Sequence, residues 1–521
     1  MHVLDGKTWR EGFLDYHRLP GGYRIDVRIY ATLTPLQGLY FVPDRDWRRL
    51  FNYLQQVGVQ EVWRKVQSRR KERLRNEKFL AFGVGRISER DEDAALQIGE
   101  SVVFVAPCHP RCVERLVLPA ELVRPTTSLS SEKEQIVYLD ASHLLDSFTH
   151  REALAGWCSF SGRMLEAEAL DQTFAQLEQA LQELDMTEGQ HLPLRRSAVH
   201  ERSAKSNGKN GNEHLQAVVF GCGHYAKTIC MANLDPAISV AKVHEIDPCQ
   251  LGPADQFPYG GDSSPLPRED EQYDLYCVAS YHHTHTPLAV HALRTGASVI
   301  VEKPVVTTWG QLENLLDAME DTSGRLFTGF HKRYLPFNDH IRTDLGIGDD
   351  EPVSYHCIVY EIKLPALHWY RWPNSGSGVV SNGCHWIDHF MYLNHFSPAT
   401  YYDAWEMGNG DVLCLAELEN GAVFSMALTQ HGSPRIGNQY YEELRANDVT
   451  VRIRNDSSYF AEDSRRVLRK RSINKMSVYT QMYRTISKRI VTGTPGETRE
   501  SVLRSAGLML SLEDKLNAKR G

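Results

Sequence analysis

Apolar residues recur along this chain with more than one period, and the changes of period mark its organisation. Leu170, Phe174, Leu177, Leu181 and Leu184 step by fours and threes, which predicts an amphipathic helix whose buried stripe would ordinarily meet a partner helix. From Leu215 to about Phe330, apolar runs of strand length, "LQAVVF", "SVAKVHEID", "YDLYCVAS" and "ASVIVEKP", alternate with helical stretches. That alternation predicts an α/β region, a parallel sheet with crossover helices. Farther on, "YHCIVYEI", "VLCLAELENGAVFSMALTQ" and "VTVRIRN" predict longer strands of a second, mainly antiparallel sheet, with Asn420-Gly421 as a hairpin turn. Val502, Leu503, Ala506, Leu510, Leu512 and Leu516 predict a closing helix packed back on one of the sheets.

Composition narrows the class. A chain of 521 residues exceeds what one hydrophobic core supports, so more than one domain is expected. The stretch "SAKSNGKNGNE", Ser203 to Glu213, holds no apolar residue larger than alanine and reads as a flexible connector. A net charge of -8 gives no global electrostatic reason to bind nucleic acid or an anionic membrane. No run reaches the roughly 18 apolar residues of a spanning helix, "MHVLDGKTWREGF" has no apolar leader core, and ten scattered cysteines suit reduced thiols. Together these predict a cytoplasmic protein.

Chemistry concentrates at strand ends. "LQAVVFGCGHYAKTIC" runs from a buried strand into the turn Gly221-Cys222-Gly223 and then a predicted helix through His224, Tyr225 and Ala226. Such a turn aims backbone N–H groups at an anion, as in the glycine fingerprint of dinucleotide-binding Rossmann domains. The strand "SVAKVHEID" ends on Asp247, where an acid accepts from ribose hydroxyls and repels a 2′-phosphate, favouring NAD over NADP. Glu245 takes that role if the strand ends earlier, and Lys242 keeps NADP open. The run Val299-Ile300-Val301 reads as a strand buried on both faces, yet it stops on Glu302-Lys303-Pro304. Charges at the edge of a buried sheet cost desolvation energy unless paired or used, and ligands of open α/β sheets sit at such carboxyl ends.

These features in this order, "GCGHYA" after a strand, "EKP" after the histidine-bearing loop "SYHHTH", and then "SGSGVVSNGCHWID", resemble the Gfo/Idh/MocA family of nicotinamide-dependent oxidoreductases from Leu215 to the C-terminus. The resemblance implies a Rossmann domain over residues 215–335 and an α+β substrate and oligomerisation domain with a large, mainly antiparallel sheet over 336–521. It implies that Lys303 contacts the substrate hydroxyl and the nicotinamide, often from a cis prolyl bond to Pro304. His385 and Asp388 match the family's later motif, whereas Ser381 stands where an acid is usual. A serine can hydrogen-bond a sugar hydroxyl but cannot act as a carboxylate base, so the proton-accepting role is assigned to His385 and the orienting role to Lys303. Ser280, Tyr281, His282, His285, Glu302 and Pro304 are expected at the cofactor. Trp369, Arg371 and Trp372, just ahead of the glycines, suit a sugar ring and its anionic substituents, or core packing. Lys332, on the strand after the lysine motif, is a further substrate candidate. The family's habit of associating through the open sheet face implies a homo-oligomer, dimer or tetramer.

Elsewhere the sequence offers alternatives. Histidines 282, 283, 285 and 291 permit a metal reading, but no cysteine or carboxylate completes the usual spacing, and cofactor contact explains them without one. The stretch "FGVGRISERDEDAALQIGESVVFVAPCHPRCVERLVLPAELV" looks like the closing part of the small GroES-like barrel that medium-chain alcohol dehydrogenases place before their nucleotide domain. It implies a barrel-type accessory domain over residues 1–130, with a helical segment and linker over 131–214. Cys108, His109 and Cys112 lie close together there, but the usual zinc set is not evident and no metal is assigned. The basic run "WRKVQSRRKERLRNEK" reads as a solvated helix face, with a phosphate-bearing substrate or acidic partner as the sharper alternative. The function expected is NAD(P)-dependent hydride transfer on a sugar, cyclitol or related substrate. An NAD-assisted glycosidase and a non-catalytic ligand sensor stand as alternatives on the same fold.

Overall fold

Alternation of period two is plain in β1 (Tyr23–Pro35), where Tyr23, Ile25, Val27 and Ile29 are buried and Arg24, Asp26 and Arg28 are half-buried. The computed structural model describes residues 3–5, 8–10, 23–35, 79–90, 94–108, 115–118, 120–126, 135–140, 144, 148, 167–184, 190–193, 214–245, 259–262, 264–268, 271–348, 351–363, 370, 373–432 and 437–520. Outside them fall the linker, the basic run Trp63 to Lys78, His109, Cys112, Asp247, Trp369, Arg371 and Trp372. The chain forms two units: Met1–Asn212 with Val218–Cys222 and Val240–Gln272, and Glu213–Ala217 with Gly223–Ser239 and Tyr273–Gly521.

The first unit holds a seven-stranded sheet built from β1, β2 (Phe79–Arg90), β3 (Ser101–Cys108), β4 (Arg115–Leu118), β5 (Val123–Pro125), β6 (Gln135–Asp140) and β7 (Gln190–Pro193). Its order is β5-β3-β2-β1-β6-β7, with β4 also on β1. The β1–β6 pair is parallel, with Ile29 opposite Val137, and the other pairs are antiparallel. Gly83 is required by close approach, because a Cβ there would lie 2.0 Å from the Ile29 carbonyl oxygen. The helical stripe predicted from sequence forms α1 (Ala167–Glu183), and among the described residues it packs on this sheet. Phe174, Leu177 and Leu181 pack with Ile29, Phe82, Val103 and Val137 in one core. A sheet with one apolar face covers a helical stripe as well as a helix does, and periodicity alone does not distinguish them.

The parallel sheet has six strands: β8 (Leu215–Phe220), β9 (Ile238–His244), β10 (Gly260–Asp262), β11 (Leu275–Val278), β12 (Ser298–Val301) and β13 (Arg325–Thr328), in the order β10-β9-β8-β11-β12-β13. The β9–β10, β11–β12 and β12–β13 pairs are parallel. Every residue of β12 is buried, as its uninterrupted apolar run requires. Helix α2 (His285–Arg294) crosses from β11 to β12, and α3 (Trp309–Asp321), N-capped by Thr308, crosses from β12 to β13. After β8 the predicted helix forms as a short run, α-helical at His224–Tyr225, π over Ala226–Cys230 and 3-10 over Met231–Asn233.

After α4 (Asn338–Leu345) the chain enters an eight-stranded sheet of β14 (Ser354–Tyr360), β15 (Ala399–Glu406), β16 (Val412–Leu418), β17 (Val423–Thr429), β18 (Gln439–Ala446), β19 (Val449–Arg454), β20 (Ser458–Glu462) and β21 (Val467–Ser472). Its order is β15-β16-β17-β14-β18-β19-β20-β21, antiparallel except for β14–β17. The Asn420-Gly421 turn joins β16 to β17, with Gly421 at φ 85°. Helix α5 (Cys384–Leu393) is buried along nearly its whole length, and α6 (Lys475–Val491) buries Val478, Met482, Tyr483 and Ile486. The closing helix α7 (Arg499–Arg520) packs on β15, α5 and α3. None of the described helices is long and apolar enough to cross a membrane.

Candidate active site

The charges that end β12 are both used. Glu302 is buried and accepts a hydrogen bond from the Tyr483 hydroxyl at 2.6 Å, with Tyr225 as a second donor. Burial raises its pKa, and the two tyrosines and Lys303 pull the other way. Room for the carboxylate comes from Gly329 at the end of β13, since a Cβ there would lie 2.6 Å from Glu302 Oε1. Glu302 thus anchors α6 and Tyr225 to the strand end.

Lys303 points the other way. The Lys303–Pro304 peptide is cis. The ammonium Nζ donates to the Ser381 carbonyl at 2.9 Å and to the Tyr370 hydroxyl at 3.3 Å, and lies 5.5 Å from the centre of the Tyr370 ring. Burial disfavours its charge, but Tyr370, Cys384 and Glu302 outweigh that and lift its pKa above the ordinary lysine value. Lys303 is therefore an ammonium at neutral pH. A π turn, Val379–Gly383, carries Ser381 into α5 and so brings the glycine-rich motif to the lysine. Gly376, at φ 75°, starts that approach, and the Ser377 amide is held by Glu513 at 2.9 Å.

His385 is buried in the first turn of α5, its ring centre 4.5 Å from that of His331, and among the described residues its Nδ1 has no hydrogen-bond partner. Burial, then His331 and Lys303, push its pKa well below the usual histidine value. That enclosure keeps the ring neutral, able to accept a hydrogen bond but a poor resting place for a proton. His331 is held likewise, its pKa pushed down to about 4 chiefly by burial, with Nε2 3.3 Å from Asp456.

Two substrate candidates have protein partners instead. Lys332 is fully buried between Asp456 at 2.5 Å and Glu442 at 2.8 Å. Asp388 accepts two bonds from Arg333, at 2.8 and 2.6 Å, and Arg333 also reaches Glu497 at 2.5 Å. Among the histidines of the loop, His285 Nδ1 lies 2.7 Å from the Pro304 carbonyl and Nε2 3.1 Å from that of Ser280. His282 lies 3.4 Å from the Ser375 carbonyl and edge-on to Tyr370, and Tyr281 stacks on His283. The loop thus ties β11 to the cis-proline segment and to the glycine-rich motif. Glu361, directly after β14, is a carboxylate that no sequence pattern of the family indicated. Its signal is the one that exposed Glu302, a charge closing an apolar strand in "YHCIVYEI".

In the glycine turn, Gly221 has φ 90°, and a Cβ on Gly223 would meet nothing within 4 Å, which leaves space for a phosphate against the backbone. β9 ends at His244, so Glu245 is the acid at the strand end. Glu245 is buried and accepts from the Cys222 amide at 2.5 Å. The turn, the helical run that follows it and this acid fit a dinucleotide. Lys242 pairs with Asp262 at 3.3 Å and with Glu271. His244, Asp262 and Glu271 converge as a metal site would, but Lys242 and Arg268 already neutralise the two acids.

Residues 254–330 match the family model described as oxidoreductase family, NAD-binding Rossmann fold. That match begins after the glycine turn, so the turn rests on its own geometry. An uncharacterized oxidoreductase of Escherichia coli (strain K12), YdgJ, is 39% identical over 64 residues, which are 12% of this chain and 18% of the relative. A trans-1,2-dihydrobenzene-1,2-diol dehydrogenase of Xenopus laevis is 25% identical over 149 residues, 28% of this chain and 42% of the relative. The chain spans less than half the length of these curated relatives. The solved structure of a levoglucosan dehydrogenase in complex with NADH and levoglucosan has the same fold, at 16% identity and TM-score 0.50, over 59% of this chain and 98% of the other. Over residues 254–330 the chain is thus similar to the oxidoreductase family with an NAD-binding Rossmann fold.

Proposed function

We propose that the protein is an NAD(P)-dependent oxidoreductase that moves a hydride between nicotinamide and the carbinol carbon of a sugar, cyclitol or related substrate. The observation that carries this reading is the meeting of Lys303, at the end of β12, with Ser381 of the glycine-rich motif, which makes one site of two distant segments. The turn from Gly221 to Ala226 would hold the pyrophosphate, and Glu245 the adenosine ribose, with NAD preferred because a carboxylate repels a 2′-phosphate. When bound, the coenzyme supplies the hydride acceptor. The protein's task is to orient the substrate oxygen and move its proton. Lys303, a fixed ammonium, polarises that oxygen, and neutral His385 offers Nδ1 as a hydrogen-bond acceptor. Ser381 offers its hydroxyl to the substrate, and Tyr281 and His282 flank the coenzyme end of the loop. A homo-oligomer formed through the open face of the eight-stranded sheet completes the proposal.

The test combines NADH and NADPH fluorescence titration with a turnover screen on glucose, myo-inositol, levoglucosan and UDP-N-acetylglucosamine. Tight NADH binding with net coenzyme reduction supports the reading. Glycoside cleavage without net coenzyme turnover would point to the glycosidase alternative, and tight sugar binding without any turnover to the sensor.

A further inference from the structure

Position 381 carries a serine, so the site lacks a carboxylate where one would take the substrate's proton, and buried His385 holds a proton poorly. The structure brings an acid to the same place from a different element. Glu361 follows β14, its backbone N–H bonded to the Thr429 carbonyl at 2.9 Å, which fixes the strand end. Its carboxylate accepts from the side-chain amide of Asn382, the residue next to the Ser381 whose carbonyl Lys303 holds. Glu361 is only partly buried, unlike Glu302, Asp388, Glu442 and Asp456, each of which is enclosed and has a protein hydroxyl, guanidinium, ammonium or imidazole as partner. The charged and titratable groups that face it are Lys303 and Cys384.

We propose that Glu361 is the proton acceptor of the site, supplying from the end of β14 the carboxylate that position 381 lacks. This deepens the reading above and rests on it. In the oxidative direction the substrate O–H bond breaks and its proton passes to a Glu361 oxygen, while the C–H bond breaks and its hydride passes to NAD(P)+. The carbonyl forms, and Glu361 returns the proton to water. Burial raises the pKa of Glu361 while Lys303 and Asn382 pull it down, so the carboxyl stands nearer neutrality than an exposed glutamate.

The test does not depend on knowing the substrate. Wild type, Glu361→Gln and Glu361→Asp are titrated with NADH and with NAD+ between about pH 5 and 9. The oxidised ring carries a positive charge and the reduced ring does not. Wild-type affinity for NAD+ relative to NADH should therefore rise about three- to tenfold as Glu361 ionises. Glu361→Gln should abolish that rise while keeping NADH affinity, and Glu361→Asp should retain part of it. A Gln variant with the wild-type pH dependence overturns the inference alone. Failure of wild type to bind either coenzyme overturns the reading of the site as well. On any sugar of the screen that turns over, Glu361→Gln should lose the acid limb of the kcat/KM profile and about 10²-fold in rate. An unchanged limb and rate would also overturn the inference.

Discussion

At the scale of single residues, the buried charges divide into those that reach the candidate site and those that are only satisfied. Glu302 and Lys303 are neighbours in sequence with opposite fates, one locked by tyrosine hydroxyls and the other reaching the glycine-rich motif. Glu245 gives a residue-scale prediction about the coenzyme. Glu245→Ala should weaken NAD binding by about tenfold and NADP binding by less, because it removes both the ribose acceptor and the repulsion of a 2′-phosphate. Equal losses, measured by fluorescence titration, would show that the ribose contact lies elsewhere, Asp247 being the next candidate. Lys303 and His385 were legible in the sequence because short motifs carry them. Glu361 was not, because it meets the motif only where the end of β14 reaches the π turn before α5, a contact between residues 361 and 382 that no local spacing encodes. Lys332, read from the motif as a substrate candidate, shows the converse. A lysine on a strand after the motif looks available in sequence, and only the fold shows Asp456 and Glu442 closing around it.

Elements are held in register by these buried charges. Lys332, just after β13, joins Glu442 of β18 to Asp456 between β19 and β20, and Tyr355 of β14 and His389 of α5 extend the chain of bonds. Lys332→Met would leave Glu442 and Asp456 without the ammonium they share, with Lys475 at 3.9 Å as the remaining cation of Asp456. It should destabilise the fold by about 3–5 kcal/mol in urea unfolding. A loss under about 1 kcal/mol would mean that the cluster is wet and contributes little. In the cluster at the ends of β9 and β10, burial opposes the charge of Glu271, but His244 and Lys242 hold its pKa down to about 2. A carboxyl depressed by folding contributes stability that is fully present above its ordinary range, near pH 4.3, and lost as the pH falls toward 2. Wild type should therefore lose on the order of 3 kcal/mol between neutral pH and about pH 2 that Glu271→Gln does not. Identical acid sensitivity of the two proteins, read from urea midpoints across that range, would contradict this linkage. Many strands were legible from periodicity, since β8, β9, β11, β12, β14, β16, β17 and β19 follow the apolar runs read from the sequence. The turns after the glycine loop were not, because "AKTICMANL" has helical composition and the π and 3-10 hydrogen bonding is set by tertiary contacts.

The whole molecule leaves one face of the eight-stranded sheet to be explained. Along β16, Val412, Cys414, Ala416 and Leu418 are buried while Leu413, Leu415 and Glu417 face outward. Across the sheet Leu413, Ala427, Ile358 and Tyr441 fall in one register row, and Ile358 is 54% exposed. An apolar stripe of that kind on an open sheet suits a second copy of the chain. Sedimentation should find wild type as a dimer or larger assembly, and Ile358→Glu should shift it toward monomer with coenzyme binding retained. A wild-type monomer would remove the oligomer from the account.

The most direct measurement of the central claim compares wild type with Lys303→Ala for coenzyme binding and for turnover on the same sugar screen. Both proteins should bind NADH with similar affinity, and the alanine variant should lose about 10²–10³-fold or more in turnover, because the ammonium that polarises the reacting oxygen is gone. Equal turnover in the two proteins would contradict the role given to Lys303 and the site built around it.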